Sequence, residues 1–125
     1  MAGFGKKNEK KKNEPQLRAQ SAGEALQKQA LNYHIRGDLI NAEKAYREAI
    51  KTGYLDQSIF SNLGIICKNS GRPEEAIILY KKAIEINPNH PDSYNNLGNL
   101  HKELGNLEQA LAPTLKSLEL RPDNP

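Results

Sequence analysis

The sequence predicts an all-α fold, an α-α superhelix (solenoid) of three helix-turn-helix units. Three observations carry that expectation. Small, aromatic and proline residues recur every 34 residues without a gap. Apolar residues inside each unit recur three and four apart, the spacing of one helical face. Of 125 residues only 37% are hydrophobic and 6% aromatic, with no Trp. That is too little for a deep globular core and enough for a thin stack, in which each helical pair buries its apolar face against its neighbours.

The period is visible position by position. Gly37, Gly71 and Gly105 share it, as do Ala42, Ala76 and Ala110. So do Ala30, Gly64 and Gly98, then Ala49, Ala83 and Ser117, then Ile50, Ile84 and Leu118. Tyr46 pairs with Tyr80, Leu63 with Leu97, Phe60 with Tyr94 and Pro88 with Pro122. The units are 21–56, 57–90 and 91–124, after a basic segment at 1–20.

Each unit reads as two helices. In the second, Asp56 is the expected N-cap of a helix from Gln57 to Ser70. Gly71 ends it with a left-handed turn. Pro73 suits the first turn of the next helix, and Glu74 and Glu75 complement its positive end. Ala76, Ile77, Tyr80, Ala83 and Ile84 mark the buried face, and Asn87-Pro88 stops the helix. The third unit repeats the plan over Pro91–Leu104 and Leu107–Leu120. Pro113 sits there at a helix-interior position, so a kink and a non-standard second helix are expected. In the first unit Ser21 and Glu24 have capping-box spacing, predicting a helix from there to Arg36 and a second from Leu39 to about Lys51.

The segments FSNLGIICKNSGRPEEAIILYKKAIEINP and YNNLGNLHKELGNLEQALAPTLKSLELRP resemble tetratricopeptide repeats. The family pattern sets aromatic, Leu-Gly, Tyr, Gly, Ala, aromatic, Ala and Pro at fixed places. The resemblance covers about 23–124. The first unit departs from it at Gln29, Ala30 and Tyr54, and the third at Pro113 and Thr114. The chain is similar to the N-terminal repeat region of bacterial multi-repeat members of that family.

The resemblance implies a scaffold that binds a peptide or partner segment in a concave groove and is not an enzyme. The first helices would line that groove. Its candidate contacts are Asn62, Asn96, Asn99, Lys68, Lys102, Asn69, Gln27 and His34. An Asn amide donates to a peptide carbonyl and accepts from a peptide N–H at once. Asn62 and Asn96, one period apart, would stack as a ladder, beside a positive column of Lys68 and Lys102. This is similar to the asparagine ladder of O-linked N-acetylglucosamine transferases, although Lys28 interrupts it. A chaperone-type carboxylate clamp fits poorly, since Gln27, Leu31, Ile65 and Asp92 stand where it needs basic or Asn residues. The alternative is the substrate-recruiting arm of a larger bacterial transferase, sulfotransferase- or glycosyltransferase-like, whose catalytic domain lies outside this chain.

Other function classes find little support. No nucleophile–base motif, cofactor loop or metal-ligand spacing appears, so no catalytic, cofactor or metal residue is named. Tyr33, Cys67 and His101 share one register, but equivalent residues on packed helices lie roughly 10 Å apart, too far for a common ion. One cysteine, no apolar leader and no spanning apolar run predict a cytoplasmic protein. The net charge of +3 is uneven. Residues 1–20 hold six basic and two acidic residues, whereas 21–125 hold 12 and 13, leaving the body at −1. Specific nucleic-acid binding is therefore not expected. The basic segment, poor in large apolar residues, is expected to be a disordered solubilising tail. The last unit lacks a polar capping helix. Either Pro113 and the second helix improvise a cap, or the chain is the N-terminal part of a longer protein, the reading favoured here. The exposed end also allows end-to-end self-association.

Overall fold

The computed structural model describes residues 2–121, with side chains from residue 14 onward. Six helices follow in order: α1 Ala2–Ile35, α2 Leu39–Lys51, α3 Gln57–Asn69, α4 Pro73–Ile86, α5 Pro91–Glu103 and α6 Leu107–Glu119. The fold is all-α and made of three helix–turn–helix repeats. It divides into two compact units, Met1–Tyr54 and Leu55–Pro125. The expected Pro88/Pro122 match lies partly outside the described residues, as do the lysine side chains of the basic segment.

In the first unit α1 packs on α2. Ala30 and Tyr46 are fully buried, with Ala42, Ala45 and Ala49 beside them. Asp38 caps α2, its carboxylate accepting from the Asn41 amide N–H at 3.3 Å. At the other end, a Cβ on Gly23 would fall 2.2 Å from that of Tyr54.

Two expectations for this unit need correction. The segment at 1–20 is not irregular: its backbone is helical from Ala2 and continuous with the first repeat helix. Lys, Glu, Gln, Ala and Arg all favour helix, which low apolar content does not reveal. Ser21 is consequently not an N-cap, because the helix runs through it. Its supposed partner Glu24 instead accepts from the Gln20 side-chain amide at 3.0 Å, an i,i+4 contact inside the helix.

In the second unit α3 pairs with α4 and α5 with α6, and α4 packs against α5. Asp56 caps α3, accepting from the Ser58 backbone N–H at 2.8 Å. Gly71 takes φ +77, a conformation costly for any residue with a Cβ. It lets the Arg72 N–H return to the Cys67 carbonyl at 2.8 Å. The same closure joins Asp38 to Tyr33 at 2.9 Å and Asn106 to His101 at 2.8 Å. The shared register of Tyr33, Cys67 and His101 thus marks the residue whose carbonyl closes each turn.

The hairpins depend on close approach. A Cβ on Gly64 would lie 2.6 Å from Tyr80 Cε1, so the ring packs directly over the α3 backbone. A Cβ on Gly98 would lie 2.6 Å from Thr114 Oγ1. Thr114 therefore takes the place of the aromatic ring, with its backbone N only 3.3 Å from the same point. Pro113 does not stop α6, which continues to Glu119 with Ala110 buried before it and Ser117 after it. Its ring is half-buried and, with Ile84, Tyr94 and Leu97, lines an apolar groove of about 380 Å³.

The Gly64–Tyr80 contact leaves no room for a methyl group. Gly64→Ala is expected to destabilise the protein by about 1–3 kcal/mol through overpacking, read as a lowered denaturant midpoint. The double variant Gly64→Ala/Tyr80→Leu, which removes the ring, should recover part of that loss.

Candidate functional site

The second unit carries two adjoining clefts between α3 and α5. The first, about 310 Å³, is lined by Ser61, Asn62 and Ile65 of α3 and by Asp92, Asn95 and Asn96 of α5. The second, about 430 Å³, is lined by Ile65 and Lys68 of α3, Tyr80 of α4, and Asn96, Asn99, Lys102 and Glu103 of α5. Ile65 and Asn96 belong to both, so the clefts form one surface. The helical period explains the alignment: Asn62, Ile65 and Lys68 lie three apart on α3, and Asn96, Asn99 and Lys102 repeat them on α5.

The structure therefore brings five candidate residues together: Asn62, Asn96, Asn99, Lys68 and Lys102. Asn69 is exposed at the end of α3 and lines neither cleft. Gln27 and His34 belong to the first unit, where His34 meets the Tyr46 ring edge-on at 6.1 Å between centroids. Its Nδ1 lies 3.5 Å from the Tyr46 hydroxyl.

Two features of this surface were missed by sequence reasoning, the pairing of Glu103 with Lys68 and the reach of Tyr80 into the cleft wall. Glu103 accepts from Lys68 Nζ at 3.3 Å, so the expected Lys68/Lys102 column is partly neutralised. A repeat register aligns each residue with its counterpart at +34, and this partner stands at +35. The second is Tyr80, which the sequence assigned to the core. It is almost fully buried, yet it also reaches the cleft wall. Burial first, then the negative charge of Glu103 and the nearby Cys67, push its phenol up to about 12. It therefore stays a neutral hydroxyl, able to donate or accept.

At one end of the first cleft Asp92 accepts a hydrogen bond from the Arg121 guanidinium, tying the start of α5 to the residue beyond α6. Chemically the surface is a polar slot of amides with an apolar floor at Ile65 and one ion pair. Among the described residues no group of three His, Cys, Asp or Glu is placed to hold a metal ion. No helix there is long and apolar enough to cross a membrane.

Stacked helical hairpins with a polar slot between their first helices define a helical-repeat protein. Residues 58–90 and 79–112 each match a model described as tetratricopeptide repeat. Those matches place tetratricopeptide repeats over residues 58–112. No curated protein matches it. Among solved structures, the second repeat domain of Spaghetti (RPAP3) bound to the HSP90 peptide SRMEEVD is similar. It shares 20% identity at TM-score 0.83, over 92% of this chain and 99% of that one. PcrH in complex with the chaperone binding region of PopB gives 22% and 0.75, over 84% and 85%. MamA gives 22% and 0.77 over 82% of this chain, which spans 60% of the MamA chain. At these identities the likeness is one of fold.

His101 underlies this surface from the buried side of α5, and its Nδ1 has no hydrogen-bond partner. Burial, with the Lys81 ammonium as a smaller cause, lowers its pKa below 6.5. The unfolded chain therefore binds the proton more readily than the folded one. The stability this neutral ring contributes is complete above about pH 6.5 and declines as the pH falls towards the folded value. Denaturation midpoints measured from pH 7.5 to 5 should show that decline, and His101→Gln should flatten it.

Proposed function

We propose that the chain is a protein-interaction scaffold whose α3–α5 surface binds an extended segment of a partner protein. The observation that carries this reading is that Asn62 and Asn96 line the same cleft. Two amides one repeat apart suit a peptide backbone, which offers alternating donors and acceptors. Ile65 gives a side chain of the partner an apolar seat between them. Lys102 is exposed beside the Lys68–Glu103 pair and favours an acidic group at that end. The RPAP3 and PcrH structures, which hold a peptide and a partner region, support a binding role for a fold of this kind. Asn69, Gln27 and His34 form no part of the binding surface in this reading.

The test is recovery of partner proteins from extract on immobilised wild-type chain and on Asn62→Ala/Asn96→Ala. Each amide contributes on the order of 1 kcal/mol to a bound backbone, so the double variant should bind about tenfold or more weakly. Equal recovery of the same partners by both would remove the asparagine ladder. Lys102→Glu should weaken the same partners where they carry the acidic group and leave their recovery unchanged where they do not.

A further inference from the structure

The Tyr80 ring packs over the α3 backbone at Gly64, and the residue also reaches the wall of the larger cleft. Only 1% of it stays accessible. Among the described residues its hydroxyl makes no hydrogen bond. Nor is the hydroxyl sealed, because His101 Nδ1 is the only fully buried side-chain polar atom there without a partner. The accessible part of Tyr80 therefore includes its oxygen, which opens into the cleft. A donor held this rigidly, and satisfied by no side chain of the fold, is suited to a bound acceptor.

The repeat explains why this hydroxyl is free. In the first hairpin the Tyr46 hydroxyl lies 3.5 Å from His34 Nδ1. One period on, the same two positions hold Tyr80 and Lys68. Lys68 Nζ donates to Glu103 instead, at 3.3 Å. In the third hairpin Thr114 replaces the phenol. The second hairpin thus leaves its phenol hydroxyl to the α3–α5 surface.

The surrounding charges select the group it can hold. After burial, Glu103 is the next cause that pushes the phenol up to about 12. An anion seated on the hydroxyl would meet the same negative charge, and Lys68 is already engaged by that carboxylate. A cation would meet Lys68 and Lys102, which line the same cleft. A neutral acceptor meets neither penalty. In an extended segment the main-chain carbonyl is such an acceptor at every residue.

We propose that the Tyr80 hydroxyl is a main-chain contact of this surface, donating to a backbone carbonyl of the partner segment alongside the Asn62 and Asn96 amides. The proposal rests on the reading of the α3–α5 surface as a peptide site. It adds a grip that is indifferent to the partner's side chains, whereas Lys102 discriminates among them.

Short peptides selected on the wild-type chain from a random library serve as probes, with affinities read by fluorescence anisotropy. Tyr80→Phe keeps the ring over Gly64 and removes only the oxygen. It should weaken every selected peptide by the same factor, roughly fivefold, the worth of one net hydrogen bond. An unchanged thermal melt shows that the variant remains folded. Ester replacement of successive backbone amides then weakens the peptide's carbonyl acceptors one at a time. At one position the ester should cost wild type several-fold and Tyr80→Phe almost nothing, a coupling that a merely structural role would not produce. Unchanged affinity of Tyr80→Phe, or an ester scan without such a position, overturns the proposal. So does a loss confined to acidic peptides, which means that the hydroxyl holds a carboxylate. In each of those cases, weakened binding by Asn62→Ala/Asn96→Ala leaves the peptide-site reading standing. A library that yields no binding peptide overturns that reading, and this proposal with it.

Discussion

The second unit depends on how closely its paired helices approach. At Gly64 the α3 backbone and the Tyr80 ring are in direct contact, and at Gly98 Thr114 takes the place of that ring. The same sixteen-residue offset relates Ala30 to Tyr46, both without solvent exposure. Dispersion between atoms at contact distance is small per pair and large in sum. A hairpin closed this tightly buries enough side-chain area with few large residues, which is why so modest an apolar content suffices. It also fixes the rotation of each helix about its axis. Rotation decides which residues of α3 and α5 point outward together, so Asn62 and Asn96 share a cleft because Gly64 and Gly98 face inward.

Much of the fold was legible because a period is a stronger signal than any propensity. Asp56, Gly71 and Pro73 each act through a local mechanism, cap, left-handed turn and first-turn proline, and each stands where its mechanism places it. At the N-terminus, low hydrophobicity predicted a disordered tail, whereas the backbone is helical from Ala2; Lys, Glu and Gln favour helix without burying anything. At Pro113, α6 runs on to Glu119 although the proline removes a hydrogen bond.

The candidate site was legible to the extent that it follows the period. Asn62, Asn96, Asn99, Lys68 and Lys102 came from register alone, and they do gather on one surface. The Lys68–Glu103 pair and the place of Tyr80 in the cleft wall were hidden because they arise from packing across elements, a lysine reaching one residue past its repeat equivalent and a ring of α4 reaching the cleft. Asn69 lies outside both clefts although its neighbour Lys68 lines one, because consecutive helical residues point about 100° apart.

Thr114 over Gly98 has a consequence for how the molecule opens. Its hairpin closes over a small polar residue, with Ser117 rather than alanine buried one turn on. The α3–α4 hairpin closes over Tyr80, with Ile59, Leu63 and Ile66 fully enclosed beside it. Local opening free energy scales with the apolar contacts that must be broken. Opening in the second unit therefore starts at α6 and reaches α3 last. In amide hydrogen exchange, α6 is the early-exchanging element and the α3 backbone beneath the Tyr80 ring the protected one.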